Sequence, residues 1–383
     1  RSMESDPSLT MSISGVQSKL TNNITTKFVN MVDYHLLLKL LAHAEQSEGY
    51  NKQSISKFRL KVLRETYLFD QIKPLATELG AEGVEEDHKK FTERLEELKT
   101  KATTALETSQ VADESKDLIF EYTLYLYNNG DYAESEKVLL EYLKVCRSSH
   151  FINVYWRLLN IYILTNNDKR FEIFKELEGY LSKEKMYDNE RLVHQNILIN
   201  TGLFLFKENQ SIDFLFEILN NNINVLASGS IHLLRYYIVS ALLTSNFDVL
   251  NGSILPLIQS DSYRYRDAFT LFTETLLEEF NYEKALGFIG DLESLCDSDY
   301  FLSGFKQQVS DAARNLILSV YSMVHHEEDV RVMIEKLGKS ANDIDSFKPT
   351  VAKFDECDNV EDKYEELANL GTAVKDILPT KEE

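Results

Sequence analysis

Apolar side chains recur along most of this chain at intervals of three and four residues, the spacing of one face of an α-helix. Short Asn/Asp-rich turns interrupt the pattern at near-regular points. They are Gly130-Asp131-Tyr132, Asn167-Asp168-Lys169, Glu208-Asn209-Gln210, Asn246-Phe247-Asp248 and Asn281-Tyr282-Glu283. From Asp131 through Asp168, Asn209, Asn246 and Asn281 the steps are 37, 41, 37 and 35 residues. Each turn separates two amphipathic stretches. In the first pair Leu118, Tyr122, Tyr125 and Leu126 form one apolar face, and Val138, Leu139, Tyr142, Leu143 and Cys146 form the next. A period of this length is that of helical repeats of the tetratricopeptide or HEAT type, in which each helix pair buries its apolar face only against its neighbours. The expected fold is all-α, a right-handed α-solenoid of TPR/HEAT-like repeats over residues 118–298.

Upstream, three shorter helices are expected between Met31 and Leu79, the last with Pro74 in its first turn. Gly80 to Lys90 reads as a loop, Phe91 to Leu106 as a charged helix with Leu95 and Leu98 on one side, and Thr108 to Lys116 as a linker. Residues 1–29 are polar and rich in Ser, Thr and Asn, the composition of a disordered tail, so a helical region is expected over 30–110. Downstream, Phe301, Phe305, Val309, Ala312, Leu316, Val320 and Met323 step by 4, 4, 3, 4, 4 and 3, which predicts one long helix from about Tyr300 to Val324. After Gly338 the chain turns acidic, with 12 Asp/Glu against 6 Lys from Lys339 to Glu383 and one amphipathic piece, Val360 to Leu378.

Composition narrows the function classes. Of 383 residues 43% are hydrophobic, and the net charge of −21 disfavours sequence-independent binding to nucleic acid. Three widely separated cysteines, Cys146, Cys296 and Cys357, form no CxxC pair, so neither a zinc ribbon nor a disulfide framework is expected. Reduced thiols and the absence of a long apolar run point to an intracellular, cytoplasmic protein without a membrane span.

Candidate chemistry is sparse. No nucleophile elbow, Walker loop, dinucleotide fingerprint or HExxH is present. His325-His326-Glu327-Glu328 has the residue types of a metal site, but a buried site needs three or four convergent ligands, so a polar turn after a helix is the better reading. Arg264 and Arg266 with Tyr263 and Tyr265 have the composition of an RNA-stacking patch. Two arginines release few counterions, so a helix entry with Asp267 in the first turn is preferred. No catalytic residue, cofactor or metal is assigned.

Several blocks together resemble one PCI-domain family, that of the e subunit of eukaryotic translation initiation factor 3. Ile231-His-Leu-Leu-Arg-Tyr-Tyr is similar to that family's apolar-Leu-Arg-Tyr helix. Ser262-Tyr-Arg-Tyr-Arg-Asp-Ala-Phe-Thr-Leu-Phe is similar to its Ser-Tyr-x-Tyr-Lys-Asp-Pro element, with Ala268 in place of Pro. Asp299-Tyr-Phe-Leu and Ala313-Arg-Asn-Leu-Ile follow in the same order and spacing, and Val330 to Leu337 resembles the helix that opens the winged-helix part. The resemblance is good over 230–338 and collinear but thin over 30–230.

It implies a PCI module over 299–383, made of the long helix, a partial winged helix and the acidic tail. The second helix and hairpin of a winged helix are not evident after Gly338. That part is either degenerate or rebuilt from Val360 to Leu378. The resemblance further implies a non-catalytic scaffold subunit of the initiation factor. Its partners would be other PCI/MPN subunits, and through the complex the small ribosomal subunit, with little direct RNA contact. Candidate partner-binding residues are Phe301, Phe305, Val309, Leu316, Val320 and Met323, a seam used in part within the chain's own core. The alternative is a PCI subunit of the COP9 signalosome or the proteasome lid.

Overall fold

The computed structural model describes residues 25–47, 51–106, 113–145, 151–183, 188–262, 264–323, 325 and 327–337. The expected tail as far as residue 24, and everything after Leu337 including Val360 to Leu378, lie outside the described residues. Helices account for all regular structure among those residues, with no strand. The chain divides into two compact units, 1–210 and 211–383.

The first unit opens with a 3-10 turn, Thr25–Phe28, inside the stretch expected to be tail, and Phe28 is buried. Nine helices follow among the described residues. They are α1 (Tyr34–Gln46), α2 (Lys52–Thr66), α3 (Phe69–Leu79), α4 (Val84–Leu106), α5 (Asp113–Asn128), α6 (Tyr132–Val145), α7 (Phe151–Leu164), α8 (Arg170–Lys183) and α9 (Asp188–Asn209). Each packs chiefly on its neighbours in sequence, as in a helical-repeat array.

Two expectations are corrected here. The loop expected over Gly80 to Lys90 is confined to its first residues. Gly80 and Gly83 take positive φ, and helix α4 already runs from Val84. Glu85, Glu86 and Asp87 stabilise its first turn through the helix dipole, while buried Val84 and Phe91 give it an inner side. The linker expected to reach Lys116 is likewise shorter, because α5 has begun at Asp113.

The second unit contains α10 (Ile212–Asn221), α11 (Ile223–Ser228), a 3-10 turn at Ile231–Leu233 and α12 (Leu234–Leu243). A short helical turn, Phe247–Val249, continues through a π-helical turn, Leu250–Ile254, into α13 (Leu255–Asp261). Then come α14 (Ala268–Leu277), α15 (Tyr282–Gly287), α16 (Ile289–Ser298), α17 (Lys306–Ser322) and α18 (Glu327–Lys336). Helix α12 is the hub. It packs on α10, α14, α17 and the π-helical turn, and its residues from Leu234 to Leu242 are all buried. A helix covered by protein on every side belongs to the interior.

All five expected turns fall between helices, and each carries a left-handed residue: Gly130, Asn166, Gln210, Ser245 and Phe280. In three of them the Asn or Ser that follows caps the next segment. Asn246 Oδ1 accepts from the Val249 amide at 3.2 Å, Asn281 Oδ1 from Lys284 at 3.0 Å, and Ser211 Oγ from Phe214 at 3.3 Å. Such caps satisfy amides that the first helical turn leaves open, each worth about 1 kcal/mol.

Candidate functional site

One charged residue lies on α12, and it organises the second unit. Arg235 is 2% exposed. Its Nε donates to Asp267 Oδ2 at 2.9 Å and its Nη1 to Asp299 Oδ2 at 2.8 Å. The partners stand 32 and 64 residues away in the chain. Both carboxylates are bonded further. Asp267 Oδ2 also accepts from the Tyr265 hydroxyl at 2.6 Å, and Asp299 Oδ2 from the Tyr236 hydroxyl at 3.0 Å.

The remaining carboxylate oxygens shape the local chain. Asp267 is the N-cap of α14 in a reciprocal capping box. Its Oδ1 accepts from the Thr270 amide at 2.9 Å, while Thr270 Oγ1 accepts from the Asp267 amide at 2.8 Å. Asp299 Oδ1 accepts from the amides of Phe301 at 2.9 Å and Leu302 at 3.2 Å, which folds residues 299–305 into a turn.

Electrostatically the cluster is closed on itself. Burial works against the Arg235 charge, but facing Tyr265, Asp267 and Asp299 outweigh it and push its pKa up. Burial and the adjoining carboxylates hold Tyr236 and Tyr265 protonated far above the usual tyrosine range. Burial also lifts the neighbouring Cys296 thiol to about 12, leaving it un-ionised at neutral pH. What this arrangement can do is hold three chain segments together. Removing one partner would leave an uncompensated charge in the core, at a cost of about 3–5 kcal/mol.

The expected seam is placed differently from its simple helical count. The helix predicted from Tyr300 begins only at Lys306, because the Asp299 turn occupies the residues before it. Counting through that turn shifts the phase. The side of α17 that is fully buried carries Val309, Ala313, Ile317 and Val320. Of the six candidate residues, Phe301, Phe305, Val309 and Val320 are buried in the chain's own core, and Leu316 and Met323 are half-buried.

The other two clusters are engaged locally. Arg264 donates to the Ala227 carbonyl and to Asp261 Oδ1, each at 2.8 Å, and Arg266 bonds Glu274. Tyr265 is buried, and Tyr263 lies outside the described residues. His325 stacks on Tyr321 with ring centroids 3.7 Å apart, while His326 is outside the described residues. No group of three or more His, Cys, Asp or Glu among the described residues is placed to hold a metal.

Comparison with known proteins adds a second line. Residues 23–144 match the family model described as "eIF3 subunit 6 N terminal domain". The chain is similar to a protein of Culex quinquefasciatus that is named as the E subunit of eukaryotic translation initiation factor 3. The two are 24% identical over 364 residues, covering 85% of this chain and 83% of the relative. A protein of the same name from Yarrowia lipolytica is 22% identical over 359 residues, covering 83% and 85%. The one from Drosophila ananassae is 24% identical over 353 residues, covering 82% and 81%. These alignments take in both compact units.

Proposed function

We infer a scaffolding role for this chain, which belongs, as a divergent member, to the family of the E subunit of eukaryotic translation initiation factor 3 and is a component of that factor. The observation that carries this reading is the extent of the likeness, with more than four-fifths of both this chain and the Culex protein aligned. A shared domain alone would give a partial match. The signalosome and proteasome-lid alternative is not favoured, because the similar proteins carry the initiation-factor name.

The chain works without catalysis, by presenting helical surfaces to other subunits of the complex in the cytoplasm and, through them, to the small ribosomal subunit. Two features support this. The group of ionisable side chains around Arg235 is enclosed and directs polar atoms at one another. Apolar side chains, by contrast, remain in contact with solvent on helix surfaces, among them Leu124, Leu140 and Val193. On α17 the partner contact falls to the two half-buried members of the seam, Leu316 and Met323.

Affinity purification of the tagged chain from its own cells, followed by mass spectrometry, tests the reading. Other initiation factor 3 subunits and small-subunit ribosomal proteins are expected. Recovery of cullins or proteasomal proteins in their place would refute it. Leu316→Asp with Met323→Asp is expected to reduce that recovery while helicity by circular dichroism is retained. Unchanged recovery would remove α17 from the partner surface.

A further inference from the structure

The end of the second unit carries an open groove of about 370 Å³ between the turn before α15 and helix α18. Phe280, Tyr282, Tyr321 and Met333 line it. Its acidic and basic side chains are already paired, Glu283 with Lys336 at 3.1 Å and Glu279 with Lys284 at 2.8 Å. Of the lining residues Phe280 is 54% exposed, and on α18 Val332, next in sequence to the lining residue Met333, is 56% exposed. Phe280 also holds a left-handed φ of 50°, an uncommon conformation for a bulky side chain. An aromatic-floored groove with a neutralised rim suits the apolar side of an amphipathic helix.

The sequence that follows carries such an amphipathic pattern. Lys336 is part of the groove, and residues 338–383 follow it directly. Within them Val360, Tyr364, Leu367, Leu370, Val374 and Ile377 step by 4, 3, 3, 4 and 3, one continuous apolar side. A shorter spacing at Ile344, Phe347, Val351 and Phe354 is interrupted by Pro349, which a helix interior does not tolerate. The connection over 338–359 reaches on the order of 70 Å when extended, so reach does not limit docking. Tethering to the groove's own edge gives an effective concentration on the order of millimolar. A second copy at micromolar concentration competes poorly with that.

We propose that residues 360–378 dock in this groove of the same molecule, laying their apolar side over Phe280, Tyr282 and Met333. The groove is then an intramolecular site. This assignment does not depend on which complex the chain serves.

The test uses the full chain with a benzophenone amino acid in place of Val332, and in a second preparation in place of Phe280. Each is irradiated at low micromolar concentration and the cross-linked peptides are mapped. Cross-links within one chain to residues 360–378 are expected from both probes. Leu367→Asp with Leu370→Asp should lower their yield by about tenfold or more, since two buried leucines would be lost, with far-ultraviolet circular dichroism unchanged. Cross-links that join two copies, that land elsewhere in the chain, or that do not form would each overturn the proposal. So would a yield indifferent to the double substitution.

Discussion

Each unit holds an arginine drawn out of bulk water, Arg157 half-buried and Arg235 fully buried, and the two are handled in opposite ways. In the first unit Arg157, on α7, donates to the Thr123 hydroxyl at 2.7 Å and lies over the Phe120 ring, 4.4 Å from its centroid. No carboxylate pairs with it among the described residues, and burial pulls its pKa down to about 10. In the second unit Arg235 sits between two carboxylates that push its pKa up.

The long-range tie in the first unit is made of weaker parts. Asp33 caps α1 through the His35 amide at 2.8 Å and accepts from the Tyr127 hydroxyl at 2.6 Å. His35 Nδ1 lies 2.7 Å from the Tyr132 hydroxyl, and its buried Nε2 has no hydrogen-bond partner. This tie uses neutral groups and a single carboxylate, whereas that of the second unit is a buried ionic cluster. The lesson is that a buried charge fixes geometry only when its partners are buried with it. Otherwise its burial costs free energy, which appears as a lowered pKa even though the group stays charged at neutral pH.

The largest expected effect follows from that contrast. Arg235→Leu strands Asp267 and Asp299 in the core and should destabilise the second unit by about 3–5 kcal/mol, read from urea unfolding and from hydrogen exchange of the α12 amides. Asp33→Ala removes a cap and the acceptor of a buried tyrosine, and should cost the first unit about 1–3 kcal/mol in the same assays. Arg157→Met leaves no charged partner behind, so its cost should be about 1 kcal/mol or less. If Arg157→Met proved as damaging as Arg235→Leu, the distinction between the two arginines would fail.

A pH effect is the smallest. Burial lowers the His35 pKa below 6.5, with Asp33 pulling weakly the other way, and His194 shifts in the same direction through its own burial. The unfolded chain therefore binds more protons than the folded one in this range. The stability these histidines contribute is complete above pH 6.5 and falls as the pH drops toward their folded values. His35→Gln should flatten the decline in the first unit. A slope unaffected by that change would place it elsewhere.

Much of the helical layout is legible because its signals are local. The turn at Asn281 declares itself through a side chain that caps the residue three positions on, and apolar periodicity marks the faces of α5 and α6 directly. Helix α4 is longer than its pattern suggests because Gly80 and Gly83 mark a break without showing how brief it is. The phase of α17 escapes a simple count for a related reason: Phe301 and Phe305 match a helical step, yet the Asp299 side chain holds them in a turn.

The Arg235 cluster is beyond local reading altogether. Asp267 reads as a helix start, but nothing in the sequence says that its second oxygen meets an arginine 32 residues earlier. Three of the blocks that carry the family resemblance supply Arg235, Asp267 and Asp299. Their shared spacing therefore has a physical content: one enclosed cluster needs all three.

The most direct test compares co-purification of initiation factor 3 subunits with the wild-type chain, with Arg235→Leu, and with Arg235→Leu combined with Asp267→Asn and Asp299→Asn. The asparagines keep acceptors for the Thr270 and Phe301 amides while removing the stranded charge. The single variant is expected to lose assembly, and the triple variant to regain both stability and assembly, because the cluster contributes a shape and not a charge. A triple variant that folds as stably as the wild type yet fails to assemble would contradict the account.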